Sequence, residues 1–280
     1  MTKITLSSNQ PFDLNLTLGC GQVFRWARDE DWWTGVVGEK VIRIRQDGRS
    51  LTFYGADPSF ITDYFHLDGD LPAILAQIDR DDLMHETIRR NTGLRIIRQP
   101  AWECLASYIC ATYANIPGIK KRISLLSRRF GKPVYSGDKI FYSFPTPESL
   151  ADSLPGDLQS CSVGYRASFL SETSRIVAGL PDWEESVRVL SYDDARRDLL
   201  ALKGVGKKVA DCVLLFAFQR YEAFPVDVWI ERIMKHCYGR GKELKNYEQI
   251  AGLGRQLFGQ YAGYAQEYLF CDRNMIIPGV

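Results

Sequence analysis

The run Leu202-Lys203-Gly204-Val205-Gly206-Lys207-Lys208-Val209-Ala210-Asp211-Cys212, an apolar stretch, and then Pro225-Val226-Asp227 together hold the parts of an amine nucleophile with an electrostatic partner. Gly204 and Gly206 bracket a tight turn whose backbone can take positive φ and lie close to a ligand with no Cβ in the way. After Gly206 the pattern becomes helical and almost wholly apolar through Val209, Val213, Leu214, Ala217 and Phe218, which predicts a buried helix. The first turn of that helix, from Lys207, presents unsatisfied N–H groups at the positive end of the helix dipole, a seat for a phosphate. With a preceding helix predicted over 192–202, the unit is helix, hairpin and helix, an arrangement that grips a nucleic-acid backbone without reading its sequence. Lys208 stands in the first turn, where the dipole and apolar neighbours both disfavour its charge. A lysine so placed is expected to be a neutral amine, able to attack an electrophilic carbon. Taken singly, a lysine is far more often a surface charge, and Asp227 reads equally well as the N-cap of a helix over 228–237. The two readings of Asp227 are compatible, and the order of glycine hairpin, helix-opening lysine and capping aspartate singles out the site.

The elements that must position these residues divide near residue 93, into parts covering 1–93 and 94–280. Residues 32–37, 41–46 and 51–54 are short runs rich in β-branched and aromatic side chains, separated by Gly38-Glu39-Lys40 and Asp47-Gly48-Arg49-Ser50. These are hairpin signals and predict a small antiparallel sheet. From Leu71 onward the apolar spacing turns helical. Trp102, Leu105, Ala106, Ile109, Cys110 and Tyr113 follow one helical face, as do Phe169, Leu170, Thr173, Ile176 and Val177. Pro145-Thr146-Pro147 and Leu180-Pro181-Asp182 punctuate helices. The expected fold class is α+β, a small N-terminal antiparallel sheet followed by an all-helical part whose cleft carries the site.

At 280 residues, 45% hydrophobic and 25% charged, the chain is long enough for a large core and two domains. A formal net charge of +1 gives no global basic footprint and weighs against nucleic-acid binding at large. Local clusters offset this: Lys120-Lys121-Arg122, Arg128-Arg129, Lys203 with Lys207 and Lys208, and Arg232, Lys235, Arg240, Lys242 and Lys245. A protein that holds one nucleotide needs only a local stripe of charge. No stretch reaches the roughly 20 apolar residues of a membrane span, and the first residues lack the apolar core of a signal peptide. The chain is expected to be intracellular. Seven scattered cysteines, odd in number, imply reduced thiols. They lack the clustered spacing of an iron–sulfur site, and with three histidines besides, no metal site is indicated. Side chains are expected to carry the chemistry.

The glycine hairpin and the Pro225-Val226-Asp227 loop resemble the helix-hairpin-helix and the Gly/Pro-rich loop with aspartate of the base-excision DNA glycosylases of the endonuclease III superfamily. Within it, the chain from about Phe12 to Asp272 is similar to the 8-oxoguanine DNA glycosylases and AP lyases of eukaryotic type. The segments that carry the likeness are Gly19-Cys20-Gly21-Gln22-Val23-Phe24-Arg25-Trp26, Tyr64-Phe65-His66-Leu67-Asp68, Arg98-Gln99, Glu103-Cys104-Leu105 with Ile109-Cys110, Gly164-Tyr165-Arg166-Ala167, and Ala262-Gly263-Tyr264-Ala265-Gln266-Glu267-Tyr268-Leu269-Phe270. Each alone is weak, whereas the ordered set is specific.

The resemblance implies an enzyme that acts as a monomer, without a cofactor, on double-stranded DNA containing an oxidised purine. A base inside a duplex is out of reach of Lys208, so the nucleotide must be extruded into a pocket. By resemblance, Lys208 displaces the base at C1′ and Asp227 stabilises positive charge on the sugar. Phe270 stacks on the flipped base, Gln266 reads its Watson–Crick edge, Cys212 lies on its other face, and the Gly21 carbonyl accepts from the N7–H that guanine lacks. Gly204, Gly206 and Lys207 meet the DNA backbone, while Tyr165 and Arg166 meet the vacated stack and the orphaned cytosine. Without the resemblance, Gln266 and Phe270 read as an ordinary helix face and Cys212 as core packing. Three positions depart from the family. Tyr113 stands where it usually has an asparagine that fills the stack, Gly118 where it often has a second cytosine-reading arginine, and Trp229 where the eukaryotic enzymes tend to have a phosphate-contacting histidine. Weaker discrimination of the opposite base is expected. The alternatives are a superfamily glycosylase for oxidised pyrimidines or alkylated purines, an AP lyase with weak base excision and, last, a non-catalytic DNA-binding module.

Overall fold

Five short strands pair into one antiparallel sheet in the order β1-β5-β4-β3-β2, with β1 at Thr2–Thr5, β2 at Trp26–Asp29, β3 at Trp32–Val37, β4 at Lys40–Asp47 and β5 at Ser50–Tyr54. The computed structural model describes residues 1–239, 241 and 243–278, so Arg240 and Lys242, counted above among the basic clusters, lie outside the described residues. Strands β3 to β5 stand where the hairpin signals place them. Cross-strand neighbours Trp33, Ile44 and Phe53 lie in register across β3, β4 and β5 and share one buried face with Ile42 and Leu51. The edge strands β1 and β2 are not predicted from the sequence. Strand β1 only half-buries alternate residues and β2 buries Trp26 alone, so neither carries an apolar alternation.

The helices Leu14–Gly19 and Pro58–Tyr64 cover the sheet, packing Leu14, Leu18, Ile61 and Phe65 on it together with Ile97. The Trp26 indole donates to the Tyr64 hydroxyl at 3.0 Å and ties β2 to that cover. A second, larger core takes in Leu71, Ile74, Ile78 and Met84 from the helices Leu71–Ile78 and Asp82–Arg90, together with Leu105, Ile109, Leu214 and Leu269 from the helical remainder. Packing therefore places the helices between residues 71 and 90 with the second core. The expected α+β class holds, with one addition: a hairpin of β6 (Pro133–Ser136) and β7 (Lys139–Tyr142) interrupts the helical part.

The helix that the 102–113 pattern predicts spans Ala101–Ala111 and stops short of Tyr113, whose φ is +48°. Asn115 caps the next helix, Ile116–Phe130, by accepting from the Gly118 N–H at 2.9 Å, and Pro117 can only follow in its first turn. The chain must turn between the two helices, and Tyr113 lies in that turn. No helix among the described residues is long and apolar enough to cross a membrane.

Arg95 links the two cores. Its side chain is almost fully buried and donates to the carbonyls of Pro11, His66 and Gly69 and to Gln10 Oε1, at 3.0 Å for the last. Arg95→Leu leaves these acceptors without donors, and unpaired buried acceptors cost about 1–3 kcal/mol each before relaxation. The variant is expected to lose roughly 3 kcal/mol of stability. A urea midpoint unchanged from wild type would refute this.

Candidate active site

The sheet side of the cleft is built by one buried amide. After the Leu14–Gly19 helix the chain turns through Gly21 and Gln22, and the Gln22 side chain is 1% exposed. Its Nε2 donates to the carbonyls of Thr17 at 3.0 Å and Arg95 at 2.9 Å, and its Oε1 accepts from the Ile97 N–H at 2.8 Å. The Gln22 carbonyl accepts from Gln99 Nε2 at 2.7 Å and the Tyr108 hydroxyl at 3.3 Å. Gly21, thus fixed, takes φ +109°, and a Cβ there would meet Ile116 Cδ1 at 3.3 Å and Phe270 Cε1 at 3.5 Å. Arg25, from the same segment, reaches Glu103 Oε2 at 3.1 Å and the Tyr142 carbonyl.

The opposite wall is the predicted hairpin unit. The helices Tyr192–Leu200 and Lys207–Phe216 flank Gly204, whose φ is +78° and whose missing Cβ makes room for the Phe169 side chain, its Cβ 2.6 Å and its ring 2.7 Å from where it would stand. Thr173 Oγ1 donates to the Lys203 carbonyl at 2.8 Å and holds the hairpin on the Arg166–Ala178 helix. Gly206 needs no positive φ. It is the N-cap, extended at φ −92°, with no side-chain cap and no acidic residue in the turn that follows. The orphan N–H groups of that turn remain open, beside Lys207, which pairs with Glu248 at 3.2 Å. Lys208 is half-buried, its Nζ 4.7 Å from the centre of the Tyr108 ring. Cys212, one turn on, is buried, and burial pushes its thiol up to about 12, against the opposing pull of Lys208.

Asp227 caps the helix Val228–Ile233, its Oδ1 accepting from the Ile230 N–H at 2.8 Å. The 228–237 helix of the sequence reading is α-helical only to Ile233 and continues as a π-helix over Met234–Tyr238. The loop before Asp227 is held by a second aspartate. Asp211, fully buried in the Lys207–Phe216 helix, accepts from Arg196 Nε at 2.8 Å, the Tyr192 hydroxyl at 2.8 Å and the Tyr247 hydroxyl at 2.6 Å. Tyr247 in turn accepts from the Val226 N–H at 3.3 Å.

A cleft of about 740 Å³ opens between these walls. Of the residues singled out from sequence, Gly21, Tyr113, Gly206, Lys207, Lys208, Cys212, Asp227, Gln266 and Phe270 line it, and Trp229 does too. Gln266 and Phe270 share a face of the Ala262–Cys271 helix, and Gln266 Oε1 is buried without a hydrogen-bond partner among the described residues. Arg273 lies over the Phe270 ring, 4.2 Å from its centre, and donates to the Phe270 carbonyl at 2.6 Å, which fixes the ring. Gly204, Tyr165 and Arg166 stand outside the cleft. Tyr165 is 54% exposed, and Tyr113 is 95% exposed at the rim. Arg166 is buried instead. Its guanidinium donates to the carbonyls of Thr112 and Val163 and lies 4.4 Å from the Tyr165 ring centre, so it is not presented to an opposing base. The sequence reading passed over Tyr108, Asp211, Tyr247 and Glu267. A charged residue in an apolar helix, as Asp211 and Glu267 both are, was the available signal, because buried charge demands a partner.

The fold and this site define a class, and the comparisons agree: the chain belongs to the HhH-GPD superfamily of base excision DNA repair proteins, whose family model matches residues 114–259. Residues 3–105 match the model of the N-terminal domain of 8-oxoguanine DNA glycosylases. A probable N-glycosylase/DNA lyase of Methanothermobacter thermautotrophicus is 36% identical over 227 residues, 74% of this chain and 71% of that one. An N-glycosylase/DNA lyase of Saccharomyces cerevisiae is 30% identical over 304 residues, covering 90% and 81%. The Clostridium acetobutylicum 8-oxoguanine glycosylase/lyase, solved with double-stranded DNA containing cytosine opposite 8-oxoguanine, superposes with a TM-score of 0.89 at 33% identity, covering 95% of this chain and 93% of that one.

Removing the Asp211 carboxylate takes the acceptor from two hydroxyls at once and leaves the half-buried Arg196 with Glu248 alone. Asp211→Ala is expected to lower stability by about 3–5 kcal/mol and to loosen the loop that carries Asp227. Calorimetry and hydrogen exchange at the Val226 amide measure the two effects, and an unchanged melting temperature would contradict the first.

Proposed function

We propose that this chain is a bifunctional N-glycosylase and DNA lyase that excises 8-oxoguanine from duplex DNA through the amine of Lys208. The observation that carries the reading is the convergence, in one cleft, of Gly21, Lys208, Cys212, Asp227, Gln266 and Phe270, from four separate stretches of chain. The flipped base lies between Phe270 and Cys212. Gln266 faces its Watson–Crick edge, where the unpaired Oε1 gains a donor. The Gly21 carbonyl takes the N7–H, the donor by which the lesion differs from guanine. Gly206 and Lys207 bind the flanking phosphate at the open helix end, and Gly204 shapes the hairpin that presents them.

Lys208 Nζ then attacks C1′, the bond from C1′ to the base breaks, and the base leaves with the bonding electrons. The sugar ring opens to a Schiff base, loss of a C2′ proton follows, and the 3′ phosphate is eliminated. Asp227, anchored by its cap, offers a fixed negative charge to the positive charge that develops on the sugar, an arrangement that needs no reorganisation at the moment of reaction. Tyr113, exposed at the rim, and Tyr165, exposed beyond it, stack where the base departed and offset part of the few kcal/mol of unstacking. The chemistry calls on side chains alone, and the chain acts on intracellular double-stranded DNA as a monomer.

Borohydride is expected to trap a covalent adduct of the wild type on an 8-oxoguanine duplex and none of Lys208→Gln. An adduct of undiminished yield in the variant removes Lys208 from its role. The opposite base is a separate matter: Gly118 supplies no guanidinium and Arg166 is turned inward. A well-placed bidentate contact is worth about 1–3 kcal/mol of discrimination. Excision opposite cytosine should exceed excision opposite adenine by no more than about a hundredfold. Single-turnover rates on the two duplexes decide it, and a ratio of several orders of magnitude would show that a cytosine reader exists.

A further inference from the structure

Glu267 Oε1 is the second oxygen of the Ala262–Cys271 helix that is buried with no hydrogen-bond partner among the described residues. Base recognition accounts for the first, on Gln266, but leaves Glu267 unexplained. The residue is 3% exposed and lines the same cleft as Lys208 and Asp227. A buried carboxylate oxygen without a donor is costly, and beside a reacting centre such an atom is a place where a proton can arrive during the reaction.

The titratable groups around Glu267 come from every element packed against it. Cys20 faces it from the segment after the Leu14–Gly19 helix, Tyr108 from the Ala101–Ala111 helix, Lys208 and Cys212 from the Lys207–Phe216 helix, and Asp227 from its loop. Cys271 and Arg273 follow it in the chain. Burial pushes the Cys20 and Tyr108 groups well up and the Cys212 and Cys271 thiols up to about 12, so all four keep their protons. Arg273 is engaged on Phe270 and Asp227 on its helix cap. Lys208 remains as the proton carrier among the described residues.

We propose that Glu267 takes the proton from Lys208 whenever the side chain carries one, so that the nitrogen that attacks C1′ is the neutral amine. An N–H bond of Lys208 breaks, its electron pair stays on nitrogen, and an O–H bond forms on the Glu267 carboxylate, directly or through one bridging water. Glu267 acts through Lys208 and is a positioning residue for its proton. The inference rests on Lys208 being the nucleophile. Burial, partly countered by the Cys20 thiol and by Arg273 and Lys208, raises the Glu267 carboxyl to about 7. Acid and carboxylate are then both populated near neutrality, which suits a group that accepts a proton and gives it back.

The test is the rate of borohydride trapping on an abasic duplex under single-turnover conditions, from about pH 5.5 to about pH 9, for the wild type, Glu267→Gln and Lys208→Gln. The carboxylate is the working form, so the wild-type rate is expected to rise with pH through a midpoint near 7. Glu267→Gln is expected to lose that limb and to trap roughly 100-fold more slowly at neutral pH, within the range of a lost proton acceptor. A variant that keeps the wild-type midpoint and a rate within about threefold of wild type overturns the proposal. Adduct formation by Lys208→Gln overturns the nucleophile itself, and the inference with it, by a different readout. The variant should fold. A carboxyl raised in the native state gives stability that is present at acid pH and lost as pH rises through its folded midpoint, so Glu267→Gln is expected to melt higher than wild type at about pH 8. Whatever the variant does, a wild-type profile with no limb near neutrality ends the proposal.

Discussion

The cleft depends on a buried amide. Gln22 has its side-chain donor and acceptor engaged by two segments, the Leu14–Gly19 helix and the stretch from Arg95 to Ile97, and its backbone carbonyl receives two further donors. Any displacement of the Gly21-Gln22 turn would leave several of these buried groups unpaired, which holds the turn in place. Gly21 inherits that position, and with it the wall against which Phe270 packs. The sheet, its two covering helices and Arg95 together deliver this turn to the helical part of the chain.

Two aspartates, three and nineteen residues after Lys208, show how burial divides labour. Asp211 is wholly enclosed, and its charge is met by one guanidinium and two hydroxyls. Such a carboxylate holds structure. Asp227 is half-buried and gives one oxygen to a backbone N–H, which leaves it facing the cleft. The first sets the second, because Tyr247 passes the constraint from Asp211 to the Val226 amide.

Much of this was legible in the amino-acid sequence wherever a local rule and the tertiary demand coincide. Strands β3 to β5 alternate because one face is buried, and the hairpin glycine, the helix-opening Lys208 and the capping Asp227 sit where turn and cap chemistry put them. The edge strands escaped because two half-buried residues make no pattern. Tyr113 was read onto a helix because its spacing fits, yet the next helix starts too soon for the turn to fall anywhere else. Arg166 was assigned to an opposing base by resemblance, but its burial follows from carbonyls of the Thr112 turn and the 163 position that no spacing rule foretells. Glu267 offers one signal in sequence, a charge within an apolar helix, but that pattern does not say which wall of the cleft the carboxyl meets.

Arg166 has a further consequence. By bonding the carbonyl that precedes Tyr113 while lying against Tyr165, it couples two rings that project outward from separate turns. The left-handed backbone at Tyr113 is uncommon for an aromatic residue and stays populated because that bond and the Asn115 cap bracket it. Both rings are therefore set in place by the fold itself, and no segment has to order around them. If the two rings enter a duplex as proposed, what opposes them is the stiffness of the double helix itself, so sites already weakened by poor stacking would be entered first.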